Sequence, residues 1–476
     1  MDTSSRYLFA AVCAVLVLAF GALVFYACAP GVPGAGSFFL MGDAASVLQG
    51  RHETRALYPE VFLEDAPALS ARPFVQNVTA VYFAAALAKL FGVYGGWVVL
   101  GAFSTLLCAA LLFLILRRTT RVWTALLLSA LYLSLPGLFY SVARVSYQPV
   151  SACLLMLFLY VYYLDTPYLL KWYVLSLLSG LLYIDHAVCI LILAAVPFLA
   201  AFHIKRQHST WTAASHAFLL LLLSSGLVWF GRHFFADYAS TLQAPFRAPA
   251  GISAVVSLFY PFSYKTVLVL IPFFLMGALS IAGLFGTARY LKRYMWPAVG
   301  CLALFFFGTY RYGGGENLAV ILYPAVFLGG ASALAHKRMF RKAERGVLSC
   351  LAAATVVMFA INGGCATYVR REGSACASYM EAFSEEYAKN IPANASVLVV
   401  CGPQHYAVQS YLLAPRVAMF SPPEREFLQN VINIGRPDYI VSPLDSPPIG
   451  YAAVDQFLSD QDGAYTLYKG NQPLSR

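Results

Sequence analysis

In the segment FFLMGDAASVLQGRHETRALYPE, a lone carboxylate, Asp43, follows an apolar stretch and precedes a predicted short helix over 44–49 that Gly50 ends. It stands at that helix's N-cap position, where a side-chain oxygen satisfies an otherwise unpaired N–H group. The same carboxylate could instead take a proton from a hydroxyl group as a general base. Local sequence leaves both roles open. Arg51, Arg55 and Arg72 follow in the same loop. Their guanidinium forks suit phosphate oxygens, and they suit lipid headgroups equally well.

Other polar groups recur at the ends of apolar runs. Arg144, Tyr147 and Gln148 open one run, Asp185 and His186 sit between two with almost no loop around them, and Arg232 and His233 close another. Tyr260, Tyr264 and Lys265 lead into a further run, and Tyr310, Arg311, Tyr312, Glu316 and Asn317 lead into the last but one. An ionisable group in such a place costs desolvation energy, so it calls for a partner or a task. An adjacent Asp–His pair is more often a structural hydrogen-bonded pair than a catalytic or metal site. No Ser–His–Asp spacing, HExxH motif or acidic triplet occurs. No cofactor is expected. A divalent metal is not indicated, although distant runs and a lipid phosphate could assemble a site for one.

A membrane bundle must position these groups. The chain has 476 residues, of which 60% are hydrophobic and 11% charged, and a water-soluble globule needs roughly twice that charge density. Aromatic residues make up 15%, which suits interfacial belts and cavities for lipid or sugar, with lipid-facing filler accounting for most of them. The formal charge of +10 does not mark a nucleic-acid binder, because the basic excess lies in short loops between apolar runs.

Apolar runs of about 17–25 residues read as spans. They fall near 7–29, 95–116, 122–141, 147–164, 169–184, 187–202, 213–231, 264–287, 295–309, 317–335 and 346–364, about eleven in all. The first is longer than a signal-peptide core of about 7–15 residues and reads as a retained helix. Residues 78–92 are apolar but short and contain Lys89, which fits a juxtamembrane or re-entrant helix. With a cytoplasmic N-terminus, one side of the membrane receives Arg117, Arg118 and Arg121; Lys205 and Arg206; Arg289, Lys292 and Arg293; and Lys337, Arg338, Arg341, Lys342 and Arg345. That is the positive-inside pattern. The opposite face then receives the loop 30–94, the loop 232–263 and the C-terminal tail.

Residues 367–476 are polar and mixed, with 11 acidic and 8 basic residues. Strands are predicted over 396–402, 417–421, 439–442 and 465–469, and amphipathic helices over 379–391 and 424–435. The fold class is thus an α-helical polytopic membrane protein of about 11 transmembrane helices plus juxtamembrane helices, with a small C-terminal soluble α/β domain. The domains expected are 1–366, including the outer loop, and 367–476. Most of the ten cysteines lie singly in apolar runs. Cys365 and Cys376 are the pair considered for a disulfide.

In layout the chain resembles the GT-C polyprenyl-phosphate-sugar glycosyltransferases related to protein O-mannosyltransferases and lipid A aminoarabinose transferase. The resemblance lies in GDAASVLQG after the first span and in ARPFVQNVTAVYFAAALAKLFGVYGGWVVLGAFSTLLCAALLFLILRR, a proline-containing helix followed by LFG and a span ending in paired arginines. SVARVSYQPVSACLLMLFLYVYYL, WYVLSLLSGLLYIDHAVCILI and ENLAVILYPAVFLGGASALA match the later spans in style, and the terminal α/β domain matches as well. The departures are specific. Ala44 follows Asp43 where a second acid is common, Arg72–Pro73 replaces a double proline, Tyr147–Gln148 stands in place of an acid, and Asp185–His186 in place of a lysine. These replacements fit a different donor sugar or a degenerate enzyme.

The resemblance implies an inverting transfer in which Asp43 deprotonates an acceptor hydroxyl and polyprenyl phosphate departs. Arg72, Arg144, Arg232, Lys265 and Arg311 would offset the phosphate charge. Arg51, Arg55, Tyr147, Gln148, Asp185, His186, His233, Tyr260, Tyr264, Tyr310, Tyr312 and Glu316 would contact substrate, although interfacial anchoring explains a span-end tyrosine as readily. The partners implied are a polyprenyl-phosphate-linked sugar donor, a lipid, glycan or protein acceptor, and membrane lipids. The expected place is a bacterial inner membrane, with the site and the C-terminal domain on the periplasmic or extracellular face. A transporter or lipid-linked-sugar flippase is the rival reading, but it would place its ionisable groups near mid-membrane in two related halves. A non-catalytic membrane scaffold with an outer binding domain is the third.

Overall fold

The computed structural model describes residues 3–31, 40–41, 44, 47–48, 78–164, 169–206, 208–234, 251, 256, 266–286, 292–312, 315–336, 344–392, 395, 397–400, 417–420, 429, 432, 436–442, 447–459 and 463–471. The chain divides into two compact units. One comprises 1–26, 75–80 and 98–367, and the other 27–74, 81–97 and 368–476.

Helices occupy every position where an apolar run was expected. They are α1 (Thr3–Cys28), α2 (Val78–Leu116), α3 (Val122–Leu133), α4 (Pro136–Ala143), α5 (Gln148–Tyr163), α6 (Leu170–Asp185), α7 (Ile190–Lys205), α8 (Thr210–Phe234), α9 (Ile271–Gly286), α10 (Lys292–Tyr312), α11 (Gly315–His336) and α12 (Glu344–Asn390). The expected count of eleven spans is not confirmed. Among the described residues, six helices are long and apolar enough to cross a membrane, or seven if the bent pair α3–α4 is one span. For three helices the reason is length, whereas α10, at 21 residues, is long enough but not apolar enough. Each of α5, α6 and α7 has 16 residues, which rise about 24 Å against a hydrocarbon core of about 30 Å.

Breaks in the long apolar runs are satisfied locally. α3 and α4 meet at 49°, where Pro136 opens α4 and cannot donate to the preceding turn. The Ser134 carbonyl at this bend accepts from Asn362 Nδ2 of α12 at 3.0 Å. A π-helical turn, Thr266–Leu270, leads into α9, and the buried Tyr323 hydroxyl donates to the Val269 carbonyl at 3.0 Å. Backbone groups freed within a bilayer need such partners because no water is there to supply them. α2 turns at Gly92, whose φ of 72° and ψ of 167° are non-helical, so the break falls where the expected short helix 78–92 ends.

α11 is the core helix, and most of its residues are buried. Its neighbours come close because two of its residues lack side chains. A Cβ on Gly329 would lie 2.5 Å from Ala298 Cβ, and one on Gly330 would lie 2.7 Å from the Met276 carbonyl oxygen. Small residues at a helix contact permit this approach.

α12 runs unbroken for 47 residues, joining the expected span 346–364 to the expected helix 379–391. The Gly363–Gly364 pair does not stop it, since a helical glycine costs only about 1 kcal/mol and no proline follows. Cys365 is a free thiol. With Cys376 it lies in this one helix, eleven residues further on and so about 16 Å along the axis, beyond disulfide reach.

Among the described residues the C-terminal sheet has five strands, β1 (Val397–Val400), β2 (Val417–Phe420), β3 (Tyr439–Ser442), β4 (Tyr451–Ser459) and β5 (Gly463–Gly470), in the order β2-β1-β3-β5-β4. β1 is parallel to β2 and β3, while β5 is antiparallel to β3 and β4. Val397, Leu398, Ile440 and Val441 form its buried centre. β4 was not expected from sequence. Of the predicted helix 424–435, only Gln429 and Ile432 are described, and both are helical.

Candidate functional site

Four of the sequence-predicted residues come together where α5 begins and α6 ends. The approach to α5 is strained, because Val145 has φ 55°. That left-handed conformation is an outlier for a β-branched residue, and such strain persists only where packing enforces it. Val145 is buried. The residues that follow are Ser146, Tyr147, the N-cap residue of α5, and Gln148, its first residue. Ser146 Oγ donates to Gln148 Oε1. Gln148 Nε2 in turn donates to Asn317 Oδ1 at 2.9 Å, so the first turn of α5 is bonded to the first turn of α11.

Asp185 is the last residue of α6 and only 2% exposed. Its Oδ1 accepts from the Thr79 backbone N–H at 3.0 Å, and its Oδ2 from Ser151 Oγ at 3.4 Å. Thr79 lies in the first turn of α2, where backbone N–H groups lack intrahelical partners. The carboxylate therefore caps a helix through a residue 106 positions earlier in the chain, and its negative charge meets the positive end of that helix's dipole. These two donors offset part of the cost of burying a carboxylate.

His186 leaves the α6 helix with extended backbone, φ −145° and ψ 113°. Its ring lies 5.2 Å from the Tyr147 ring at 36°. Its Nε2 is buried and has no hydrogen-bond partner among the described residues. A buried polar atom without a partner is costly, and a ligand group can supply one. Together the group offers a fixed carboxylate, a carboxamide pair, a phenol and an imidazole nitrogen, a set suited to hydrogen-bonding a polyhydroxylated ligand. Among the described residues, no cluster of three or more His, Cys, Asp or Glu side chains could hold a metal ion.

The remaining candidates fall elsewhere or outside the description. Arg144 ends α4 with its guanidinium 4.9 Å from the centre of the Tyr140 ring. Tyr310 and Arg311 lie in the last turn of α10, and the Tyr310 carbonyl accepts from Gly251 N at 3.0 Å. Glu316 lies in the first turn of α11. Arg232, His233 and Tyr312 belong to helices α8 and α10, but their side chains are outside the described residues. So are Asp43, Arg51, Arg55, Arg72, Tyr260, Tyr264 and Lys265. Near Asp43, Leu40, Met41, Ala44, Val47 and Leu48 are helical, so helical conformation starts before the expected cap. Met41 and Ala44 are buried, and the Leu40 carbonyl accepts from Trp97 Nε1 at 3.2 Å.

Sequence reasoning missed Thr79 and Ser151. Ser151 follows Gln148 by three residues on α5 and so shares its face, a signal that could have found it. Thr79 contributes a backbone N–H, which no side-chain pattern reveals.

No family model matches the sequence, and no curated protein sequence matches it. Solved structures do match. The chain is an integral membrane protein whose fold recurs among them. Two crystal structures of ArnT from Cupriavidus metallidurans share that fold. The apo structure aligns with a TM-score of 0.60 over 97% of this chain and 98% of its own, at 13% identity. The structure bound to undecaprenyl phosphate aligns with a TM-score of 0.59 over 98% of each chain, also at 13% identity. At that identity the likeness is one of fold.

Proposed function

We propose that the chain is a membrane glycosyltransferase that moves a sugar from a polyprenyl-phosphate-linked donor to a lipid, glycan or protein hydroxyl on the non-cytoplasmic face, with inversion at the anomeric carbon. The observation that carries this reading is the match to ArnT over nearly the full length of both chains, including an ArnT structure that holds undecaprenyl phosphate. The group around Asp185 and His186 supports it. Its hydrogen-bonding capacity suits a sugar, and it caps the helix that follows in the chain from the loop bearing Asp43 and Arg72.

In the proposed reaction Asp43 takes the proton of the acceptor hydroxyl, whose oxygen forms a bond to the anomeric carbon as the bond to the phosphate oxygen breaks. Arg72, Arg144, Arg232, Lys265 and Arg311 are the candidates to stabilise the departing polyprenyl phosphate, because charge developing on a leaving group is best met by preorganised cations. Tyr147, Gln148, His186 and Asn317 would hold sugar hydroxyls.

The test supplies a labelled polyprenyl-phosphate sugar and candidate acceptors to membranes containing the wild type or Asp43→Asn. Transfer by the wild type and its loss in the variant are expected. Undiminished transfer by Asp43→Asn would remove the base assignment. A wild type that transfers no sugar but moves the prenyl-linked sugar across the bilayer would make the chain a flippase.

A further inference from the structure

At the opposite ends of α5 and α6, a second group of side chains converges that the proposed transfer does not use. Arg118, just past α2, donates Nη1 to the Tyr163 carbonyl at 2.8 Å and lies 5.7 Å from the centre of the Tyr160 ring. Lys171 donates Nζ to the Leu164 carbonyl at 2.6 Å and lies 5.8 Å from the Tyr162 ring and 5.9 Å from the Trp172 ring. Trp172 stacks on His203 at 5.4 Å, and Arg206, at the end of α7, lies 4.3 Å over the Phe202 ring. Arg293, at the start of α10, lies 4.9 Å over Tyr294, whose ring is 4.6 Å from that of Tyr163.

The aromatic rings connect these cations into one patch, since Tyr162 lies 5.1 Å from Tyr163 and 6.5 Å from His203. The cations are preorganised for an anion. Two are held by carbonyls at the negative end of the α5 dipole, and the Arg118 bond uses one of five guanidinium donors. Sequence adds to the charge, because the segments 117–121, 164–171, 205–209 and 287–293 contain Arg117, Arg118, Arg121, Lys171, Lys205, Arg206, Arg289, Lys292 and Arg293 and one acid, Asp165. Beside the charges, Leu170 and Phe198 are each 70% exposed and Phe202 is 57% exposed. Phe198 and Phe202 stand one turn apart on α7. A free anion has no use for such rings, whereas the acyl chains of a lipid do.

We propose that this end of the helices binds an anionic phospholipid, its headgroup phosphate held by Arg118, Lys171, Arg206 and Arg293 and its acyl chains beginning on Phe198 and Phe202. The full-length protein in a neutral detergent is titrated with phosphatidylglycerol or phosphatidylcholine, and retained lipid is counted by native mass spectrometry. The wild type retains phosphatidylglycerol in preference. Arg206→Gln, a change at an exposed residue, lowers that retention about fivefold, the expected contribution of one cation beside an anionic lipid surface. Arg118→Gln/Lys171→Gln/Arg206→Gln abolishes the preference, while Lys337→Gln/Arg338→Gln/Arg341→Gln, on another basic loop, keeps it. Equal retention of the two lipids by the wild type overturns the proposal. So does an equal loss in the two triple variants, which would mean diffuse surface charge, and so does displacement of the lipid by inorganic phosphate at matched concentration.

Discussion

The two ends of the α5–α6 pair solve the same geometric problem in different ways. Both helices rise only about 24 Å, so polar groups at either end sit near the limit of the hydrocarbon. At the Gln148–Asp185 end the groups are buried, 8% and 2% exposed, and bonded across to α11 and α2. At the Tyr163–Leu170 end the cations are mostly exposed and rest on aromatic faces and helix-end carbonyls. Long Lys and Arg side chains can reach water from a short helix and cover apolar surface on the way. Asp, Gln and Asn cannot reach so far, so their end must be satisfied internally. One end is therefore rigid and specific in its bonding, and the other is adaptable and electrostatic.

The largest expected effect tests whether the proposed chemistry rests on Asp43 and is separate from the basic end. Asp43→Asn should lower transfer from a polyprenyl-phosphate sugar by about 10²–10⁴-fold, the range for losing a general base, while phosphatidylglycerol retention at the basic end stays at the wild-type level. A parallel fall in both readouts would mean that the variant had lost its fold, which a matched unfolding temperature excludes.

Asp185→Ala comes next. It strips the Thr79 N–H and the Ser151 hydroxyl of their buried acceptor, and each unsatisfied buried group costs about 1–3 kcal/mol. Asp185→Asn keeps an acceptor oxygen and should recover much of that loss in a thermal unfolding measurement. If alanine and asparagine proved equally stable to the wild type, the carboxylate would not be holding the start of α2.

His186 separates packing from ligand binding. His186→Ala removes the ring against Tyr147, a contact worth about 0.5–1.5 kcal/mol. His186→Phe restores the ring but no nitrogen. Stability should return in the phenylalanine variant while the KM for the sugar donor stays raised. Recovery of both would reduce His186 to a packing residue.

What could be read from sequence follows the same division. Helix positions were legible because apolar runs announce themselves, and span ends were legible because polar residues interrupt those runs, which is how Tyr147, Gln148, Asp185 and His186 were found. The helices' insufficient length was less visible. The run 169–184 already has only about 16 residues, and the run 147–164 shortens to the 16 of α5 because Tyr147 and Leu164 prove to be caps. β4 was hidden because Asp455 and Gln456 break the apolar alternation, and a bulge between Ala453 and Asp455 shifts its register against β5. The bond from Asp185 to Thr79 joins residues 106 apart through a backbone atom, so nothing in local pattern could show it.

The smallest effect bears on the exposed end and on whether its order matters. Arg118→Lys keeps the charge but loses the planar fork that both bonds the Tyr163 carbonyl and lies over Tyr160. A site built on charge alone should hardly notice, so phosphatidylglycerol retention should fall by no more than about twofold, against about fivefold for Arg118→Gln. Should lysine do as much harm as glutamine, the arrangement of the guanidinium would matter more than its sign. The contrast between the two ends would then narrow, because the basic end would also depend on fixed geometry, with aromatic faces doing the positioning that buried hydrogen bonds do around Asp185.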